Sequence, residues 1–209
     1  GATWGSGSTM PRVTVGVVRG APTWLDILYA EGGNDKGTSF AQTPIGDTGL
    51  TAILVTHSRQ SDVGLVQGMI WGLPDGTVRD SDGATVPSTS FGTGDSAMTV
   101  YRSASKDAFG VHGPGTGVWG RNEGRVVQMN FWSDARQTTA GVLPKGAYDV
   151  TATLAPGATL VSIGEKVVDG IDGRVFLAQV NSSKAGEQGI LTLTYTDAAG
   201  KRVTIDPSK

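Results

Sequence analysis

Residues 143–154 read Leu143-Pro144-Lys145-Gly146-Ala147-Tyr148-Asp149-Val150-Thr151-Ala152-Thr153-Leu154. Pro144 and Gly146 mark a turn, because proline presets one backbone angle and glycine accepts a positive one. After the turn, Tyr148, Val150, Ala152 and Leu154 recur at every second position, with Asp149, Thr151 and Thr153 between them. A period of two belongs to a strand with one face in a core and the other in water. The spacing predicts a half-buried strand over 147–154 with all four of those side chains inward.

The same pattern of short β-rich runs between turn formers extends along the chain. It predicts strands at 12–18, 24–29, 50–57, 63–73, 97–102, 125–132, 159–163, 174–180, 189–195 and 202–205, and a loop at Gly32–Gly37. The run at 50–57 is the most apolar, so it is expected to be a central strand buried on both faces. Charged residues make up only 17% of the chain, too few to furnish the outer faces of long helices. With 32 Gly and 9 Pro among 209 residues, many tight turns are implied. No fixed-period repeat is present. The expected fold is all-β, an immunoglobulin-like Greek-key β-sandwich. Its domain is expected at 1–155, and Ala155-Pro156-Gly157 marks the boundary to an additional β-rich segment or small second domain at 156–209.

Charge and composition exclude several functions. Lys and Arg number 17 against 19 Asp and Glu, and no cationic cluster exists to neutralise phosphates, so nucleic acid is not an expected partner. The absence of cysteine removes disulfides, zinc–thiolate sites and thiol nucleophiles. No apolar run is long enough to span a membrane. The chain opens on Gly1 rather than Met, which is read as the mark of a removed secretion signal or of a trimmed chain.

Catalytic constellations are lacking. The glycine-flanked serine elbow of hydrolases is absent, and His57 and His112 are the only histidines. His57 ends an apolar strand and is expected to be a hydrogen-bonded structural imidazole. Asp80-Ser81-Asp82-Gly83 has part of a calcium-loop pattern, but Val78 and Thr89 stand where its outer ligands belong, so a β-turn is expected. Asp169-Gly170-Ile171-Asp172-Gly173 is read in the same way. No metal or cofactor is expected. Glycoside cleavage needs two facing carboxyl groups; Glu31, Glu123 and Asp134 are available to meet in the fold, a question that spacing does not decide. The glycine-dense stretch 110–124 holds Trp119, Arg121, Asn122 and His112. There an indole suits the face of a sugar, and guanidinium, amide and imidazole groups suit its hydroxyls. These four residues form the candidate ligand site, against the competing reading that Trp119 plugs one end of the sandwich. Trp71, Phe131 and Trp132 fall in strand patterns and are read as core or strand-surface residues.

Two segments together resemble a known family. The strand at 12–18 followed by Leu25-Asp26-Ile27-Leu28-Tyr29-Ala30-Glu31-Gly32 resembles the opening of cysteine-free chaperone–usher pilins. The stretch 143–154 resembles their final strand, in which a Pro/Ala-x-Gly-x-Tyr turn leads into an alternating strand. The segments stand about one small domain apart. The resemblance implies a bacterial fimbrial subunit or tip adhesin, non-enzymatic, completed by an extended segment from a neighbour. It implies as partners other pilus subunits by strand exchange, a periplasmic chaperone and usher, and a host-surface glycan or protein. The implied location is extracellular, on the cell surface, reached through the periplasm. Two other readings stay open: a carbohydrate-binding or carbohydrate-cleaving β-sandwich, and a viral or phage tail or capsid component.

Overall fold

The chain's turn-punctuated runs form eighteen strands in a computed structural model that describes residues 2–4, 12–29, 39–57, 66–93, 96–114, 116–122 and 124–208. The all-β architecture expected from composition is the one observed. The loop expected at Gly32–Gly37, and Glu31 and Glu123, lie outside the described residues. The chain divides into two units, Gly1–Val86 and Pro87–Lys209. Among the described residues no helix is long and apolar enough to cross a membrane.

The first unit holds β1 (Ala2–Trp4), β2 (Arg12–Arg19), β3 (Trp24–Tyr29), β4 (Ser39–Pro44), β5 (Leu50–His57), β6 (Val66–Gly72) and β7 (Val78–Asp80). They make two antiparallel sheets, ordered β1-β2-β5-β4 and β3-β6-β7. Val18, Ile53 and Trp71 form the core between them, with Leu25, Met69 and Leu73 packed alongside. β5 is not buried on both faces as expected. Ile53 and Val55 point inward, whereas Leu54 is 40% exposed on the face it shares with Val15. A strand this apolar still alternates because β2 and β4 pair with it edge to edge and cover neither face.

His57 is the structural imidazole expected of it. It is buried, its Nε2 lies 2.8 Å from Thr14 Oγ1, and its Nδ1 lies 2.9 Å from Tyr29 Oη, so both ring nitrogens meet hydroxyls. The Asp80 segment is a turn. One Asp80 carboxylate oxygen accepts from the Asp82 and Ala84 backbone N–H groups at 3.0 Å, which orients it toward the backbone rather than toward a cation.

The second unit comprises β8 (Ser88–Phe91), β9 (Met98–Ser103), β10 (Ala108–Gly113), β11 (Thr116–Arg121), β12 (Val127–Ser133), β13 (Arg136–Leu143), β14 (Tyr148–Leu154), β15 (Thr159–Val167), β16 (Arg174–Asn181), β17 (Ile190–Thr196) and β18 (Arg202–Ile205). Three sheets result, ordered β11-β10-β9-β8, β12-β13-β16-β15 and β14-β17-β18. The second of these is the middle layer. Along β16, Val175 and Leu177 face Val100, Phe109 and Val111 of the first sheet, while Phe176, Ala178 and Val180 face Val150, Ile190 and Leu193 of the third. A strand buried on both sides reads as a continuous apolar run, and Val175–Val180 does so except at Gln179.

The domain boundary expected at 155–156 is thereby corrected to 86–87. β14 pairs with β17, and β15 and β16 join β12 and β13 in one sheet, so residues on both sides of Ala155 share one core. Ala155-Pro156-Gly157 is a turn closed by the Ala158 N–H on the Ala155 carbonyl at 3.0 Å. It carries the chain between sheets, not between domains.

β14 bears out three of its four inward residues. Val150 is buried and Ala152 and Leu154 pack beside it, but Tyr148 is 47% exposed. Asp149 adopts φ 61°, and the register with β17 shifts between Tyr148 and Thr151, which turns Tyr148 to the solvent side. Arg202 holds Asp149 in place through a 2.6 Å ion pair. The two segments that carry the pilin resemblance fall in different units, β2 and β3 in the first and β14 in the second.

Candidate functional site

The glycine-dense stretch is a β-hairpin rather than a loop. β10 pairs with β11 in the register Gly110 to Trp119 and His112 to Gly117. Its glycines serve close packing. An ideal Cβ on Gly110 would stand 2.2 Å from the Tyr101 ring, so a larger residue there would expel that side chain. Alternation along the hairpin sends Phe109 and Val111 into the core and puts His112, Trp119 and Arg121 on the opposite face. Trp119 is half-buried on that face, which it shares with the fully buried Tyr101 and Ala108.

Asn122 departs from the other three candidates. It follows Arg121 by one position and turns to the other side of the hairpin, beside Arg102, whose guanidinium its amide satisfies once oriented with the oxygen toward Nη2 and Nε. Its backbone N–H donates to the Asp107 carbonyl at 3.0 Å and closes the hairpin end. The expected four-residue constellation is therefore split, with three members sharing a sheet face and Asn122 committed to Arg102.

A different group of residues lines a cleft of the second unit, of about 470 Å³. That volume lies within the usual span of small-ligand pockets. The middle sheet supplies its floor, and strand register explains why. Moving along the face that looks toward the first sheet, the rungs run Val142–Val175, then Ala140–Leu177 with Met129, then Phe131–Thr138–Gln179, then Ser133–Arg136–Asn181. The first two rungs lie in the core under β9 and β10. The third lies at the edge of the cover, with Phe131 still packed against that core and Thr138 buried, and the last is exposed; Ser96, Met98 and Pro114 form one wall of the cleft there. The face changes from apolar to polar at the point where its cover stops.

The polar rungs are held in position. Arg136 Nε donates to Asn181 Oδ1 at 3.3 Å, and Gln179 Nε2 donates to Thr138 Oγ1 at 3.3 Å. Ser162 on β15 donates to Gln179 Oε1 at 3.4 Å, so that amide is fixed at both ends. Asp134 stands at the tip of the β12–β13 hairpin with φ 54°, a conformation that aspartate and asparagine adopt more readily than most residues. Phe131 lends the floor a half-buried ring. On the reverse side of β13, Gln137 is fully buried and anchors the same hairpin. Its Oε1 accepts from the Gly189 and Ile190 N–H groups at 2.7 and 2.9 Å, and its Nε2 donates to Asn130 Oδ1 at 2.8 Å.

Of the acids considered for glycoside cleavage, Asp134 lines the cleft, and it is the one carboxylate among the cleft's described lining residues. Among the described residues no group of three potential metal ligands converges. Sequence patterns alone do not reveal this cleft, because Phe131 reads as an ordinary strand residue and 136–143 carries no strand signal. One cue nevertheless exists in β16, where Val175, Leu177, Gln179 and Asn181 share one face by period two and change character halfway. No protein-family model, no curated protein and no solved structure matches the chain.

Proposed function

We propose that this chain is an extracellular, non-enzymatic recognition protein whose second unit binds a saccharide in the cleft between β9, β10 and the β12–β13 hairpin. The observation that carries the reading is the apolar-to-polar change along the middle sheet where the covering sheet ends. A face that merely met solvent would need no concavity, and a core face would not carry Arg136, Asn181 and Gln179. Saccharides present hydroxyls around an apolar ring, and the cleft offers matching chemistry: a half-buried aromatic, two amides, hydroxyls, one guanidinium and one carboxylate. A single carboxylate favours binding over cleavage, since glycosidic hydrolysis uses two.

The test is a glycan array probed with the full chain, followed by calorimetry. Asp134→Gly removes the carboxylate yet suits the positive φ, so it is expected to weaken saccharide binding at least tenfold with little change in melting temperature. Unchanged affinity in a folded Asp134→Gly protein would overturn the cleft as the site. Trp119→Ala provides the contrast. It is expected to cost about 1 to 2 kcal/mol of stability, less than a fully buried tryptophan would, while saccharide binding persists. Loss of binding without loss of stability would instead assign the ligand to the sheet face that carries His112, Trp119 and Arg121.

A second reading, assembly as a fimbrial subunit or tip adhesin, draws support from β15. This nine-residue strand is the edge of its sheet, and Leu160, Val161 and Val167 are exposed along it. Exposed apolar edges accept added strands. Strand exchange with other subunits, delivery by a periplasmic chaperone and usher, and attachment to a host-surface glycan through the cleft are compatible with one another. Fibres by electron microscopy, lost on Val161→Lys, would support this reading; a monomer that takes up no extended peptide would end it.

A further inference from the structure

We infer that the ligand of the cleft is an acidic saccharide, a uronic-acid-bearing oligosaccharide whose carboxylate is received by Arg136. This rests on the saccharide reading above and adds the charge and orientation of the ligand. Arg136 is exposed on the outermost rung and lines the cleft, and its Nε donates to Asn181, which leaves the two terminal nitrogens of the guanidinium as donors for a ligand. A planar pair of donors matches the two oxygens of a carboxylate. Among the described residues no ion pair engages Arg136 or Asp134, although the hairpin places them two positions apart.

That separation specifies the ligand further. A lone guanidinium beside a carboxylate suits a monoanion, because a phosphate dianion would meet one cation and one like charge. Asp134 repels a carboxylate that binds in the wrong direction and accepts a hydroxyl in the right one. Gln179, Asn181 and Ser133 then meet ring hydroxyls, with Phe131 beneath the sugar's C–H face. The carboxylate is thus expected at Arg136, and a hydroxyl of the same or the next sugar at Asp134.

The experiment is calorimetric titration of the full chain with a panel of oligouronates, each compared with its neutral parent saccharide and with a sulfated form of that parent. At least one oligouronate should bind tenfold or more tightly than either comparator. Arg136→Gln should erase that advantage, and Arg136→Lys should restore only part of it, since a point charge lacks the two-pronged geometry; melting curves verify that both variants fold. Equal binding of uronates and neutral parents, or a preference that survives Arg136→Gln, overturns the acidic-ligand inference and leaves the saccharide reading standing. A sulfated parent that binds as tightly as the uronate overturns the carboxylate assignment. Binding of no saccharide in the panel removes the reading itself and this inference with it.

Discussion

Replacing Gln137 with Leu is expected to destabilise the protein by about 3 to 5 kcal/mol, although leucine is apolar and close in size. Gln137 is fully buried, and its carbonyl oxygen is the acceptor for two consecutive backbone N–H groups, those of Gly189 and Ile190. Leucine would leave both donors buried without a partner, at about 1 to 3 kcal/mol each. Asn130 Oδ1 would lose the amide that donates to it and keep the Thr139 hydroxyl at 3.0 Å, while its Nδ2 still donates to the Pro207 carbonyl at 3.3 Å. No water replaces the lost acceptor easily, because Gly189 packs so closely that an ideal Cβ there would stand 2.6 Å from Val180. Thermal or urea unfolding measures the loss directly. An Asn130→Ala, Gln137→Leu double variant should lose less than the sum of the two single variants, since both changes break one network. A Gln137→Leu protein as stable as the parent would mean that these bonds contribute nothing net.

The same substitution bears on function. Arg136 and Thr138 flank Gln137 on β13 and point to the opposite face, into the cleft. Relaxing the anchor on one side therefore shifts two cleft residues on the other. Saccharide affinity in Gln137→Leu should fall even at temperatures where the protein remains folded, whereas a core change remote from β13 should not produce that pattern.

How much of the structure is legible in the sequence depends on which forces hide each strand. Strands such as β3, β5 and β18 are readable with their observed limits because β-branched and aromatic residues alternate there between clear turn signals. β13 is not. Its Arg136-Gln137-Thr138-Thr139 start looks like a polar loop, yet Gln137 and Thr139 are buried through hydrogen bonds to Asn130 and to the β17 entry. Polar burial satisfied at long range leaves no local pattern to read. β10 and β11 are hidden for another reason. Their glycines suggest a loop, but Gly110 and Gly113 make room for the Tyr101 ring and the Met98 thioether, which are contacts of packing rather than of chain reversal. The cleft is obscured by both effects, since β13 forms its floor and the β10–β11 turn at Pro114 part of its wall. Of the candidates drawn from composition at 110–124, His112, Trp119 and Arg121 share the face of their sheet opposite Phe109 and Val111.

Val150→Asp is expected to be as damaging as Gln137→Leu, and it tests the face assignment that began the reading of β14. Val150 is 8% exposed and packs in the core with Leu193 and Phe176. A carboxylate there must be buried, protonated, or swung out at the expense of the strand, and each course costs several kcal/mol, about 3 or more by the usual penalty. A specific neighbour makes it worse. The Val150 backbone N–H donates to Glu165 Oε2 at 3.2 Å, and Glu165 in turn pairs with Arg174 at 3.5 Å, so an acid already occupies the space beside this position. A second one adds like-charge repulsion. The variant should therefore recover part of its stability as pH falls from neutral toward the ordinary carboxylate range, because burial pushes the introduced carboxyl group up and, once protonated, it carries no charge to bury. Tyr148→Asp, two positions away, should be nearly neutral, since the shift at Asp149 has already turned that side chain outward. Melting curves of the two variants at neutral and acidic pH decide the matter. Equal damage from both would mean that residues 148 and 150 share the inward face and that β14 runs without its bulge.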